Sequence, residues 1–121
     1  MTNFFFDSYA IFELINGNPA YFKFRKGTIT TTKLNLLEVH YGLIDKYGID
    51  FADYCFDFLS DISLDLSDDV LKTASQLRNK NKKHRMSYID CIGYTVSIRN
   101  GCRFLTGDEA FRNFPNVEFV K

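Results

Sequence analysis

The chain has 121 residues, 45% of them hydrophobic, and its 15 basic and 15 acidic residues give a formal net charge of zero. This length fits one globular domain with its own hydrophobic core, which we assign to residues 1–121. The balanced charge excludes a global electrostatic field that recruits nucleic acid, so any such contact must come from a local patch.

The predicted elements alternate between strands and helices along the whole chain. Apolar runs indicate the strands, while Gly, Pro and capping residues mark the helix ends. In chain order they are strand 2–6, helix 8–15, short helix 20–25, strand 28–31, helix 33–47, a helix beginning near 50, strand 61–66, helix 67–80, a basic connection 79–85, helix 87–99, strand 102–105, helical turn 108–111 and strand 117–120. This alternation predicts an α/β fold: a mostly parallel central sheet with helices on both faces.

The cysteines and the N-terminal segment bear on the compartment. Cys55, Cys91 and Cys102 lie in apolar segments without zinc-site spacing, a pattern typical of reduced, buried thiols. We therefore expect a cytoplasmic protein. Asp7 ends the apolar run after Phe6, and no basic leader precedes it, so neither a signal peptide nor a membrane contact is predicted.

Four acidic residues occur in apolar surroundings: Asp7, Glu38, Asp90 and Asp108. A carboxylate held against apolar surface costs several kcal/mol unless it is neutralised, paired or bound to a cation. Asp7 and Asp108 follow predicted strands, and ligands of open parallel sheets bind beyond the carboxyl ends of the strands. Either Asp can instead be a helix N-cap, and the two roles are compatible through different oxygens.

Glu38 and Asp90 lie inside predicted helices. Leu34, Leu37, Tyr41 and Ile44 form an apolar face of the first of these helices. Glu38 shares this face, four residues after Leu34 and three before Tyr41. A boundary Glu that reaches solvent is the alternative. Asp90 belongs to a helix that is apolar on most sides, and Ser87 can cap it. We expect that capping and the helix dipole do not account for Asp90 or Glu38.

Oxygen ligands without His or Cys select hard cations, so the pattern favours Mg²⁺ or Mn²⁺ over zinc. Three basic clusters are candidates for phosphate contacts. The densest is 78–85, with Lys82, Lys83 and Arg85 as the RNA-binding candidates; the others are 23–26 and the arginines at 99, 103 and 112. A solvated connection between helices is the alternative for the first.

Four motifs in order make the chain resemble the PIN-domain family, of the small single-domain kind that includes VapC-type toxins. They are Phe4-Phe5-Phe6-Asp7-Ser8, the segment from Thr30 to Glu38, Ser87-Tyr88-Ile89-Asp90, and Thr106-Gly107-Asp108-Glu109-Ala110-Phe111. Gly107 departs from the family, which often has a basic or polar residue there, and Cys91-Ile92-Gly93-Tyr94 stands where the family is often Ala-rich.

The resemblance implies an α/β/α sandwich and metal-dependent hydrolysis of RNA phosphodiester bonds by a metal-activated water. It assigns Asp7, Glu38, Asp90 and Asp108 as metal ligands, Thr106 as a hydroxyl that orients the last Asp or a water, and Ser8 as a weaker helper. It also implies an antitoxin partner and a homodimer. A protein-interaction module without significant nuclease activity is the main alternative. A receiver-like signalling domain fits poorly, because Asp7 has no acidic neighbour and no Lys follows the last main strand.

Overall fold

The computed structural model describes residues 2–121. Its sheet has five strands, and every pairing between them is parallel. The strands are β1 (Phe4–Phe6), β2 (Thr31–Thr32), β3 (Ser63–Leu64), β4 (Arg103–Thr106) and β5 (Val117–Phe119). Their order is β3-β2-β1-β4-β5, and a single bridge between Phe5 and Thr30 joins β1 to the β2–β3 pair.

Five α-helices and three short 3₁₀ segments connect the strands. The α-helices are α1 (Ser8–Ile15), α2 (Lys33–Tyr47), α3 (Ile49–Ser60), α4 (Asp68–Lys80) and α5 (Tyr88–Arg99). The 3₁₀ segments are Pro19–Lys26, Lys82–His84 and Glu109–Phe111. No helix within residues 2–121 has both the length and the apolar character needed to cross a lipid bilayer.

Side chains that alternate along the central strands fill two cores, one on each face of the sheet. Phe5 and Phe104 face the core shared with α4 and α5. Phe6 and Leu105 face the other core, built with α1, α2 and α3. The predicted three-layer α/β/α sandwich is therefore confirmed.

Helix α5 packs closely on the sheet because Gly93 carries no side chain. A methyl group at Gly93 would lie 3.0 Å from the Phe5 ring and 3.3 Å from the Phe104 ring. Residues 91–97 of this helix are all buried, as expected for a helix in the middle of a layer. This packing fixes the start of α5, and with it Asp90, relative to the ends of β1 and β4.

The main difference from the predicted elements is the third strand, which spans two residues instead of the six from 61 to 66. It pairs only with β2, so it is an edge strand without a second neighbour within the described chain. Cys91 and Cys102 are buried, Cys55 is half-buried, and all three thiols are free.

Candidate functional site

An open cleft of about 490 Å³ lies beyond the carboxyl ends of β1 and β4. All four acids singled out from the sequence line it, together with residues of α1, α2 and the start of α5. The lining residues are Asp7, Ser8, Tyr9, Phe12, Glu13, Glu38, Val39, Ser87, Asp90 and Asp108. The chain thus brings carboxylates separated by about a hundred positions in sequence into one cavity.

Asp7 is the most buried of the four acids, with 2% of its surface exposed. It occupies the N-cap position of α1, yet its side chain caps no backbone N–H of the helix. Its carboxylate instead accepts hydrogen bonds from two side chains: Thr106 Oγ1 donates to Oδ2 at 2.7 Å and Asn35 Nδ2 donates to Oδ1 at 3.4 Å. The capping explanation considered for Asp7 is therefore wrong.

Burial raises the pKa of Asp7 from 3.8 to about 8. Loss of hydration is the largest cause, and the neighbouring charge of Asp90 acts in the same direction, while the hydrogen bond from Thr106 opposes both. The negative charge at Asp7 is therefore costly at neutral pH without a nearby cation.

Asn35 and Ser8 connect Asp7 to Glu38. Asn35 is fully buried, and its Nδ2 also donates to Ser8 Oγ at 3.0 Å. Ser8 Oγ in turn donates to Oε1 of Glu38 at 2.6 Å. Thr32 donates to Oδ1 of Asn35 at 2.6 Å, which fixes the orientation of the amide. A chain of side-chain hydrogen bonds thus positions two of the acids.

The apolar face predicted for the Glu38 helix is only half correct, because Leu34 and Ile44 pack against the cores but the other two residues do not. Leu37 is 55% exposed and Tyr41 is 76% exposed. The fully buried residues of α2 are Asn35, Leu36, Val39 and Leu43. Both sets of residues have helical spacing, and contact with the sheet and α1 decides between them. Glu38 lies at the border of the buried face, half-buried and directed into the cleft.

Asp90 caps its helix, although capping was not expected to account for it. Ser87 Oγ accepts from the Asp90 N–H at 3.0 Å, and Oδ2 of Asp90 accepts from the Ser87 N–H at 2.9 Å, which forms a capping box. Burial nevertheless raises the pKa of Asp90, and the charges of Asp108 and Glu38 add to this shift. The carboxylate thus caps α5 and also contributes to the negative charge of the cleft.

Thr106 links the last acid to the first. Its Oγ1 donates to Asp7 and accepts from the Asp108 N–H at 3.1 Å. The side chain of Asp108 accepts from the Ala110 N–H at 3.0 Å and so caps the 3₁₀ turn. Because Thr106 is fully buried, one hydroxyl fixes both the Asp7 carboxylate and the turn that presents Asp108.

The donor atoms of the cleft fit a hard divalent cation. They are carboxylate and hydroxyl oxygens, and none of the lining residues is Lys, Arg, His or Cys. None of the salt bridges formed within residues 2–121 includes any of the four acids. However, no three His, Cys, Asp or Glu side chains of this range are already placed to hold a metal ion together. The donor atoms therefore suit a metal ion, although the carboxylates are not arranged around one common point.

Sequence reasoning missed two polar residues of the site. Glu13 lines the cleft as a fifth acid, and its Oε2 accepts from Asn18 Nδ2 at 3.3 Å. Its local sequence carried the same signal as the other acids, because Ala10-Ile11-Phe12 precedes it and Leu14-Ile15 follows it. Asn35 also left a signal, because a polar residue between Leu34 and Leu36 interrupts an apolar stretch. That signal indicates a buried amide but gives no partner for it.

The basic clusters differ in their position and in their ion pairs. Lys82, Lys83 and Arg85 are exposed, form no salt bridge within residues 2–121, and lie two to five residues before Ser87 of the cleft. Lys82 and Arg85 border a small cavity of their own, with Arg78 and Met86. The other candidates are engaged or distant. Arg99, Arg103 and Arg112 pair with Asp69, Glu118 and Glu109. The 23–26 cluster borders a separate cavity beside Phe4, at the opposite end of β1.

A family model described as the PIN domain matches residues 4–117. Among solved structures, the chain is similar to one from a toxin-antitoxin complex of Klebsiella pneumoniae, with a TM-score of 0.75 and 15% sequence identity over 96% of both chains. No protein with a curated description matches the chain significantly in sequence. PIN domains are generally nucleases and typically use divalent metals. Because the family model spans nearly the whole chain, the protein belongs to the PIN-domain family.

Proposed function

We propose that the protein is a Mg²⁺- or Mn²⁺-dependent endoribonuclease that hydrolyses RNA phosphodiester bonds. The observation that carries the proposal is the cleft itself, in which the four acids are gathered without any basic side chain to neutralise them. Burial, together with the charge of Asp90, raises the pKa of Asp7 to about 8. A divalent cation is the simplest partner for such a set of oxygens.

In this proposal Asp7, Glu38, Asp90 and Asp108 hold the metal. When bound, a divalent cation lowers the pKa of a water and neutralises charge on the scissile phosphate. Thr106 holds the Asp7 carboxylate in place and fixes the Asp108 turn, and Ser8 does the same for Glu38. The hydrogen bonds of these side chains preorganise the carboxylates, so that less reorganisation is needed during the reaction.

Lys82, Lys83 and Arg85 are the proposed RNA contacts. Their charges are free of acidic partners within residues 2–121, and they lie two to five residues before Ser87, the capping serine of α5. Cations beside an acidic cleft can bind the phosphates that flank the cleaved bond, while the scissile phosphate is held at the metal.

Cleavage by two variants tests the catalytic proposal. Asp7→Asn and Asp90→Asn should each lower Mg²⁺- or Mn²⁺-dependent kcat/KM on single-stranded RNA on the order of 10³-fold, because each removes a ligand charge worth several kcal/mol in the transition state. Circular dichroism checks that the fold is retained. Asp65→Asn, at an exposed position between β3 and α4 and outside the cleft, is the matched control and should cleave like the wild type. Unchanged cleavage by both cleft variants would refute the proposal.

The biological role we propose is that of a cytoplasmic toxin held in check by an antitoxin. The support is the similarity in fold to a chain from a toxin-antitoxin complex. In this role the antitoxin covers the acidic cleft, and a second copy of the chain binds elsewhere. A neighbouring gene for a small DNA-binding protein, whose product abolishes cleavage in vitro, is the expected finding.

Helix α3 is the proposed surface for the homodimer. The 20–24 segment is also rich in aromatic residues, but it places Tyr21 and Phe24 in the core. On α3, in contrast, Phe51, Tyr54 and Phe58 are exposed. Exposed aromatic side chains on one helix are typical of a protein interface. Light scattering of the purified chain should therefore give the mass of a dimer, and a monomer at high concentration would contradict this.

The alternative function is a protein-interaction module that keeps the acids without significant nuclease activity. Titration calorimetry with Mn²⁺ combined with RNA cleavage separates the two functions. Binding of the metal without cleavage of any RNA would favour the module.

A further inference from the structure

One wall of the acidic cleft is aromatic, and helix α1 supplies it. Tyr9, Phe12 and Glu13 are spaced at i, i+3 and i+4, which places them on one face of the helix. All three line the cleft and are half-buried. The cavity thus extends from the four acids at the strand ends along the side of α1.

Two glycines make room for the two rings. A methyl group at Gly107 would lie 2.3 Å from Cε1 of Tyr9, and one at Gly42 would lie 2.4 Å from Cε2 of Phe12. Each ring therefore rests against bare backbone, Tyr9 on the turn that carries Asp108 and Phe12 on α2. A side chain at Gly42 would displace the Phe12 ring, and one at Gly107 would meet both the Tyr9 ring and the Val120 carbonyl oxygen, so the wall has a fixed shape. Gly107 is also a position where the chain departs from the PIN pattern.

Glu13 adds a hydrogen-bond acceptor to this wall. Asn18 donates to its Oε2 at 3.3 Å, while Oε1 accepts no hydrogen bond within residues 2–121. The Glu13 side chain forms no salt bridge there either. A carboxylate only accepts hydrogen bonds, and its charge repels phosphate. Of the groups that an RNA substrate offers, the one that binds beside Glu13 must therefore be an uncharged donor.

A nucleobase meets these requirements, because it has a flat face for stacking and an edge with N–H donors. Guanine presents two adjacent donors, N1–H and the N2 amino group, to a single carboxylate, whereas adenine and cytosine present one amino group. We propose that Tyr9, Phe12 and Glu13 form a nucleobase subsite that binds guanine next to the scissile phosphate. This inference rests on the proposed function and specifies the substrate of the same cleft.

Equilibrium binding tests the subsite without requiring cleavage. Labelled five-nucleotide RNAs carrying one central guanine, inosine, adenine or uracil in a uracil background are titrated with the wild-type chain in Ca²⁺, and fluorescence anisotropy gives Kd. Guanine should bind about tenfold more tightly than adenine or uracil. Inosine should fall between them, because it keeps N1–H and lacks the N2 amino group.

Two variants separate the parts of the subsite. Glu13→Gln should remove most of the preference for guanine while leaving Kd for the all-uracil RNA within about twofold, since only the base edge is affected. Phe12→Leu should raise Kd for all four RNAs by similar factors, roughly tenfold, because an aromatic ring stacks on any base. Asp65→Asn removes a charge from the exposed segment between β3 and α4, outside the cleft, and should change neither the preference for guanine nor Kd.

The outcomes distinguish this inference from the proposed function. Equal Kd values for all four RNAs, no binding of any RNA, or a preference unchanged in Glu13→Gln would each overturn the subsite. Metal-dependent cleavage without base preference would leave the nuclease proposal standing and refute the subsite. Guanine preference without cleavage by the wild type in Mg²⁺ or Mn²⁺ would support the subsite and refute the nuclease proposal.

Discussion

Asp7 and Asp90 line the same cleft, but different kinds of donors hold their carboxylates. Asp7 accepts from the side chains of Thr106 and Asn35, which belong to distant parts of the chain. Asp90 accepts from the backbone N–H of Ser87, three residues away. The sequence contexts of the two acids suggest the opposite, with Asp7 as the cap. A carboxylate in apolar surroundings can thus be explained locally in one place and only by tertiary contacts in another.

The strongest effect that we expect concerns stability against pH in the metal-free protein. The pKa of Asp7 is raised from 3.8 to about 8 in the folded chain. Asp7 therefore makes a contribution to the free energy of unfolding that is fully present below about pH 4. This contribution is lost as pH rises through about 8, at about 1.4 kcal/mol per pKa unit. In EDTA, urea unfolding of the wild type should accordingly show a decrease of several kcal/mol that Asp7→Asn does not show.

Asp90→Asn extends this test to the second acid. Its carboxylate also has a raised pKa, but the substitution weakens the capping box, so the metal-free variant should gain less stability at pH 8 than Asp7→Asn. Adding Mg²⁺ at pH 8 should raise the unfolding free energy of the wild type more than that of either variant. Equal pH dependence in the wild type and Asp7→Asn would show that Asp7 is not the titrating group.

Thr106→Val tests the hydroxyl that joins Asp7 to Asp108. The substitution keeps the shape, but it removes the donor to Asp7 and the acceptor for the Asp108 N–H. We expect a loss of roughly 1–3 kcal/mol in unfolding free energy, measured with urea, and a lower kcat for RNA cleavage. Thr106→Ser keeps the hydroxyl but loses the methyl group. Its kcat should therefore be closer to the wild-type value than its free energy of unfolding is. A Val variant with normal kcat would contradict a positioning role.

Ser87→Ala should have a smaller effect, about 1 kcal/mol of stability, because it removes the side chain that caps α5. The matched control is Ser67→Ala, which removes the cap of α4 outside the lining of the cleft. Both variants should lose similar stability in urea, but only Ser87→Ala should lower cleavage, since its partner Asp90 lines the cleft. Equal cleavage by the two variants would indicate that the capping box stabilises α5 without positioning Asp90 for cleavage.

The weakest effect that we expect concerns the basic segment. Replacing Lys82 and Lys83 by Gln should weaken RNA binding only a few-fold at low salt and reduce the slope of log K against log salt by about 0.7 for each phosphate that is no longer neutralised. Lys23→Gln with Lys26→Gln, at the other end of β1, is the control pair and should leave the slope unchanged. If only the Lys23 and Lys26 substitutions reduced the slope, RNA would instead bind at the opposite edge of the sheet.

Local sequence signals were sufficient to predict the order of strands and helices, because apolar runs, caps and glycines act over a few residues. Gly48 after α2 and the Ser67 cap of α4 lie where local rules place them. The third strand was overestimated, since an edge strand with one partner pairs over only two residues. Apolar spacing was only partly correct on α2, where two faces have helical periodicity and packing against the sheet selects the one with Leu36 as the buried face.

For the cleft, the sequence identified the four acids because charge in an apolar context is unusual wherever it occurs. Tertiary contacts determine which carboxylate caps a helix, that Asn35 joins Asp7 to Ser8, and that Glu13 belongs to the same cavity. These relations depend on how distant segments meet in space. The sequence therefore names the groups that are costly to bury, while the fold determines which partners hold them.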